Sequence, residues 1–268
     1  MEANKYILPN MYNGIENNLQ IFNTFKNFIY FQGIQGSYPF SIMNGNYNNN
    51  SYENIAMFPQ IEKMLEDYGP LSSSMVIMDC ANLFLTKKDY YDSFNKVMFE
   101  EFSDKTNYYF EIADTKLAGY LINRYPNIQL IIHQNYTMYH TEEEIQAFIN
   151  QYKKNIKGII ITPKQECKNI DNVFKIYLIP LSLCFFCASH SLCLKNENYS
   201  TLDYSEISYF ATCKSRKLLS ISEIFNCIKK ASEETELIMF DTCLKKYEIN
   251  EIQLIIGVLK EVLQHVKI

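Results

Sequence analysis

The chain has 268 residues, of which 47% are hydrophobic and 21% charged, with a net charge of −5. That length suits one eight-stranded α/β barrel, which takes about 250 residues, and the acidic balance without a polybasic block excludes a non-specific DNA or RNA binder. No run of about 20 apolar residues occurs, so no membrane span is expected.

The first residues, MEANKYILPNMYNG, carry an acidic second residue and no apolar core of a leader. No secretory signal is therefore expected, and a cytoplasmic protein is. Eight cysteines in such a chain are expected as thiols or ligands rather than as a disulfide frame. Arginine occurs only at Arg124 and Arg216, while Asn, Ile, Lys and Tyr abound. That bias matches an AT-rich genome, as in a low-GC bacterium. The asparagine run at 44–50 and the sequons at Asn135 and Asn198 therefore carry no weight.

Residues 1–26 are expected as an N-terminal extension or helix, and residues 27–268 as one domain. In that domain a unit repeats: a short apolar run, a polar residue, then a helical stretch. The runs are 27–34 (NFIYFQGI), 74–80 (SMVIMDC), 108–114 (YYFEIAD), 128–135 (IQLIIHQN), 157–162 (KGIIIT), 174–181 (FKIYLIPL), 207–213 (ISYFATC, the weakest) and 236–242 (ELIMFDT). Most are continuously apolar, as strands buried on both faces are. Helices are expected at 52–68, 88–102 and 115–125, and at 250–266 with Ile252, Ile255, Leu259, Val262 and Leu263 on one face. Capping boxes at Thr141–Glu144 and Ser220–Glu223 open two more. The connections after the fifth and sixth runs look too short or irregular for a full helix. The reading is a single (β/α)8 barrel, one or two helices short of the full set; a doubly wound open sheet is the alternative.

A barrel carries its chemistry at the C-terminal ends of its strands. Asn44 lies in the long loop after the first run. Asp79 ends the second, with Asn82 three residues on. Asp114 ends the third, His133 and Asn135 the fourth, Thr162 the fifth with Lys164 close by, and Asp241 the eighth. As a set they predict a polar mouth, with His133, Asp114 and Asn82 as catalytic candidates. Asn44, Asn135, Lys164 and Asp241 are the substrate-binding candidates. His133 is the general-base candidate, because an imidazole titrates near neutral pH. Taken singly, Asp114 before Thr115 and Asp241 before Thr242 also fit helix caps. No glycine-rich phosphate loop, H-E-x-x-H or G-x-S-x-G is present.

The stretch LSLCFFCASHSLCL, residues 181–194, spaces Cys184, Cys187, His190 and Cys193 as C-x2-C-x2-H-x2-C, and Cys213 ends the seventh run. Four thiolates from neighbouring strand ends suit a [4Fe–4S] cluster or a tetrahedral zinc ion, with His190 able to replace one of them. Against this stands the habit of cysteine to behave as a small buried hydrophobe, the reading for Cys80, Cys167, Cys227 and Cys243.

The order of GSYPFSIMNG (36–45), DCANLFLTKKDYYDSFNKVM (79–98) and ADTKLAGYLINRYPNIQLIIHQN (113–135), then the cysteine group and a later cysteine, resembles barrel proteins of the peptidase U32 type and their small clostridial relatives. The resemblance covers residues 27–213. It implies a barrel whose Cys184, Cys187, Cys193 and Cys213 bind an iron–sulfur cluster, acting on a peptide or a nucleic-acid base. The chain departs from that pattern in a shorter, glycine-poor ligand region. Two functions stand open: an iron–sulfur barrel enzyme modifying such a substrate, or a non-catalytic barrel with structural zinc or free thiols that binds a peptide or protein partner.

Overall fold

The computed structural model describes residues 5–8, 15–36, 75–81, 89–91, 93–162, 167, 169–181, 218–234, 237–241 and 249–266. Eight parallel strands close into a barrel in strict chain order. They are β1 (Lys5–Leu8), β2 (Tyr30–Gly36), β3 (Met75–Cys80), β4 (Tyr108–Ile112), β5 (Leu130–Ile132), β6 (Ile156–Ile161), β7 (Phe174–Pro180) and β8 (Leu237–Asp241). Around them lie α1 (Ile15–Phe25), α2 (Ser93–Phe102), α3 (Thr115–Arg124), the one-turn α4 (Gln134–Thr137), α5 (Glu142–Gln151), α6 (Ile221–Glu234) and α7 (Ile249–Val266).

Seven of the eight expected runs hold β2 to β8. The eighth strand is a correction. The ring is completed by Lys5–Leu8, inside the stretch read as an extension or helix, which pairs with β2 on one side and β8 on the other. β7 pairs directly with β8, so no strand stands between them where residues 207–213 were expected; those residues lie outside the described ones. KYIL is only four residues long. It holds its place through two neighbours and not through its own pattern, because closure removes the free edges that would otherwise destabilise a short strand.

Alternation along the strands sorts the core into two regions. Ile7, Met75, Ile77, Ile131, Ile160, Ile176, Leu178, Leu237 and Met239 form one cluster, with Tyr109 and Phe174 against it. These are every second residue of their strands, so they fill the barrel lumen. The intervening residues, among them Val76, Met78, Cys80, Phe110 and Ile112, join the helices in a larger outer cluster. Gly158 is needed in the lumen: a Cβ there would overlap the Phe174 ring. Gly33 is needed too, since a Cβ would approach the Met75 carbonyl oxygen to 2.5 Å.

The helices follow their predicted signals. Thr141 accepts from the Glu144 N–H and Glu144 accepts from the Thr141 N–H, so the capping box forms as read. The Ser220–Glu223 pair repeats it ahead of α6. α7 packs on α6 and α1, bringing the end of the chain against its beginning. The expected helix at 52–68 lies outside the described residues. Among the described residues of the β6–β7 connection there is no helix, and no described helix is long and apolar enough to cross a membrane.

Candidate functional site

Five adjacent strands change character at the same level. Below it the inward residues are Met75, Ile77, Ile131 and Ile160; above it they are Gln35 on β2, Asp79 on β3, Glu111 on β4, His133 after β5 and Thr162 after β6. All five are buried. This is the C-terminal end of the barrel, where the strands deliver their last inward side chains to the mouth.

Glu111 is at the centre. It is fully buried, and its neighbours Phe110 and Ile112 belong to the outer cluster, so its carboxylate faces the lumen. The Gln35 amide Nε2 donates to Glu111 Oε2 at 2.6 Å. These residues come from β2 and β4, with β3 between them; side chains of alternate strands share a layer in such a barrel, which lets them meet. His133 Nε2 stands 3.3 Å from Glu111 Oε1, with both side chains fully buried.

The short helix α4 fixes the histidine. His133 is its N-cap, and Nδ1 accepts the Asn135 backbone N–H at 3.0 Å. An accepting Nδ1 carries no proton, so the hydrogen bond assigns the proton to Nε2, facing Glu111. Thr137 ties the same turn to the barrel by donating to the Ile160 carbonyl at 2.9 Å. Asp79 is register-paired with Glu111 and accepts the Ala81 N–H at 3.0 Å.

The sequence-derived candidates separate at this point. His133 belongs to the cluster, and Asn135 contributes to it through its backbone N–H. Asp114 is the N-cap of α3: it accepts from the Lys116 N–H at 2.7 Å and from the Tyr90 hydroxyl at 2.7 Å. Burial and that carboxylate push the Tyr90 hydroxyl well above its ordinary pKa. Asp241 ends β8, its backbone in register with Pro180. Asn44, Asn82, Lys164, Cys184, Cys187, His190, Cys193 and Cys213 lie outside the described residues.

Glu111 and Gln35 were missed by sequence reasoning, which looked only at strand ends. The available signal was a lone acidic residue inside the apolar run YYFEI and a glutamine in FQGIQG, each two residues from a lumen position. Among the described residues no group of three or more His, Cys, Asp or Glu is arranged to hold a metal ion. Cys80 and Cys167 are buried free thiols. Burial, then the charges of Asp79 and Glu111, push the Cys80 thiol well above its usual range, so it stays protonated and unreactive, as a core residue does.

No family model matches the chain, and no curated protein matches it. Solved structures do. One is orotidine 5′-monophosphate decarboxylase from Methanocaldococcus jannaschii complexed with the inhibitor BMP, with TM-score 0.44 and 10% identity over 98% of this chain and 99% of that one. Another is the Plasmodium falciparum HPPK-DHPS with pteroate, with TM-score 0.47 and 12% identity over 97% of this chain; the match spans only 48% of that longer protein. A third is an uncharacterized protein from Clostridium thermocellum that binds two copies of 5-methyl-5,6,7,8-tetrahydrofolic acid, with TM-score 0.45 and 14% identity over 98% of this chain and 95% of that one.

Proposed function

We propose that the chain is a barrel enzyme acting on a small polar substrate by proton transfer, with its site at the C-terminal mouth around Glu111. The observation that supports this reading is the Gln35–Glu111–His133 chain, buried at one level of the lumen. Burying a carboxylate costs several kcal/mol unless it is paired and hydrogen-bonded. An apolar side chain would fill the same space without that cost, and groups set in such surroundings mark functional sites.

In this reading Glu111 exchanges the proton: it leaves a substrate group for a Glu111 oxygen and returns from it. Gln35 orients the carboxylate. His133 holds its Nε2 edge 3.3 Å from the other oxygen, while Nδ1 stays occupied by the Asn135 N–H. His133 is thus a positioning residue and Glu111 the general base.

A thermal-shift screen of polar metabolites against the full chain tests it. Ligands that raise the melting temperature of the wild type should lose most of that shift with Glu111→Gln, and part of it with His133→Gln. Ligands that protect all three equally would place the site elsewhere.

A second reading adds a metal, consistent with the peptidase U32 resemblance. Cys184, Cys187 and Cys193 follow Leu181, the residue after β7, within twelve positions of sequence. With Cys213 they form the proposed ligand set for a [4Fe–4S] cluster, or for zinc, and the substrate would then be a peptide or a nucleic-acid base. Protein purified without oxygen should contain iron or zinc, and Cys187→Ser should lose it; a metal-free wild type on elemental analysis removes this reading and leaves the first intact.

A further inference from the structure

Outside the barrel, α3 and α5 leave a cleft between them that the chemistry of the mouth does not use. Its volume is about 570 Å³, within the range of small-molecule sites. Gly119 of α3 and Ala147 of α5 both line it. Gly119 sits inside a helix, where glycine is unfavourable relative to alanine. A Cβ there would meet only the Tyr152 hydroxyl, at 3.1 Å, a contact that the end of a side chain relieves by a small shift. Packing therefore does not require the glycine. What its missing side chain supplies is room.

One wall of the cleft is aromatic. His140, Tyr136, Phe148 and Tyr152 line it, and each ring touches the next. His140 stacks on Tyr136 at 3.8 Å, Tyr136 lies 5.3 Å from Phe148, and Phe148 meets Tyr152 edge-on at 5.6 Å. A carbonyl only accepts, so His140 Nδ1 donates to the Tyr136 oxygen at 2.8 Å and holds the imidazole in the stack. Such a wall receives a further ring by stacked or edge-on contact.

The charges stand at one end. Helices that follow barrel strands begin on the mouth side. Lys116, in the first turn of α3, and Glu144, in the first turn of α5, therefore flank that end of the cleft from facing helices. Glu144 accepts the Thr141 N–H on Oε2. Its other oxygen and the Lys116 ammonium have no partner among the described residues.

We infer that the cleft between α3 and α5 binds a free aromatic amino acid, with its carboxylate on Lys116, its ammonium on Glu144 and its ring along Tyr136 and Phe148. A ring bearing only a cation would leave Lys116 opposed by like charge, and one bearing only an anion would do the same at Glu144; the zwitterion meets both with opposite charge. Within a peptide those two charges are lost to the amide bonds.

Isothermal titration of the full chain with L-phenylalanine, phenethylamine and 3-phenylpropionate tests this, because the three share a ring and differ in the charges they carry. L-phenylalanine should bind saturably, one molecule per chain, and the other two should bind about tenfold more weakly or less. Lys116→Ala and Glu144→Gln should each weaken L-phenylalanine about tenfold, the effect of losing a hydrogen bond to a charged group. Glutamine keeps the capping box, so the second variant leaves α5 intact. Gly119→Leu should abolish binding by filling the cleft, with circular dichroism confirming that all three variants are folded. No saturable binding of L-phenylalanine, equal binding of the three probes, or binding unchanged by Lys116→Ala and Glu144→Gln overturns the inference.

Discussion

His133→Ala should lower the unfolding free energy by about 1–3 kcal/mol, the usual cost of leaving buried polar groups with one partner fewer. Both side chains of the His133–Glu111 pair are fully buried and 3.3 Å apart. Removing the imidazole leaves the buried Glu111 carboxyl with less compensation. Glu111→Ala should cost a similar amount, because it strands the Gln35 amide and removes the group facing the imidazole. The double variant Glu111→Leu, His133→Leu should behave differently. Two apolar side chains fill the space without a charge to solvate, so its stability should return to within about 1 kcal/mol of the wild type or exceed it. Urea unfolding of the wild type, Glu111→Leu, His133→Leu and their double variant forms a double-mutant cycle, and the coupling should be large. Strictly additive losses would show that the pair is not one unit, and would weaken the case that its charge is retained for chemistry.

Phe110→Ala is the second large effect, about 3–5 kcal/mol. Phe110 is fully buried on the outer face of β4, with its ring 5.2 Å from Phe99 of α2 and tilted by 47°. Phe99 in turn lies 5.8 Å from the Tyr125 ring, so the cavity would open in the layer that holds β4 against its helices. That layer matters to the site because Phe110 and Glu111 are neighbours on opposite faces of one strand. The expected result is a lower denaturant midpoint with an unchanged slope. By contrast, Phe28→Ala removes a ring that is 62% exposed and should change stability by no more than about 0.5 kcal/mol.

The fold was largely legible because burial on both faces writes itself into continuous apolar runs such as GIII and LIIH, and capping boxes mark helix starts locally. Where the reading failed, the element lacked a local signature. KYIL is too short to stand out, and its strand exists through pairing with β2 and β8. The site divides in the same way. His133 was found because it ends an apolar run. Asp114 was found for the same reason, yet its hydrogen bonds are those of a helix cap to Lys116 and the Tyr90 hydroxyl, an alternative the sequence had already offered. Gln35 and Glu111 sit inside their runs, 76 positions apart, and only the layer relation of alternate strands brings them together.

The amino-acid sequence by itself determined the class of architecture, the strand and helix phases of most of the chain and the polar character of the barrel mouth, because hydrophobic period and capping act over a few neighbouring residues. The tertiary structure decided which strand closes the ring, which polar residues face the lumen and which tautomer His133 adopts. Those depend on register, on alternation and on hydrogen bonds between distant positions, and no local pattern encodes them.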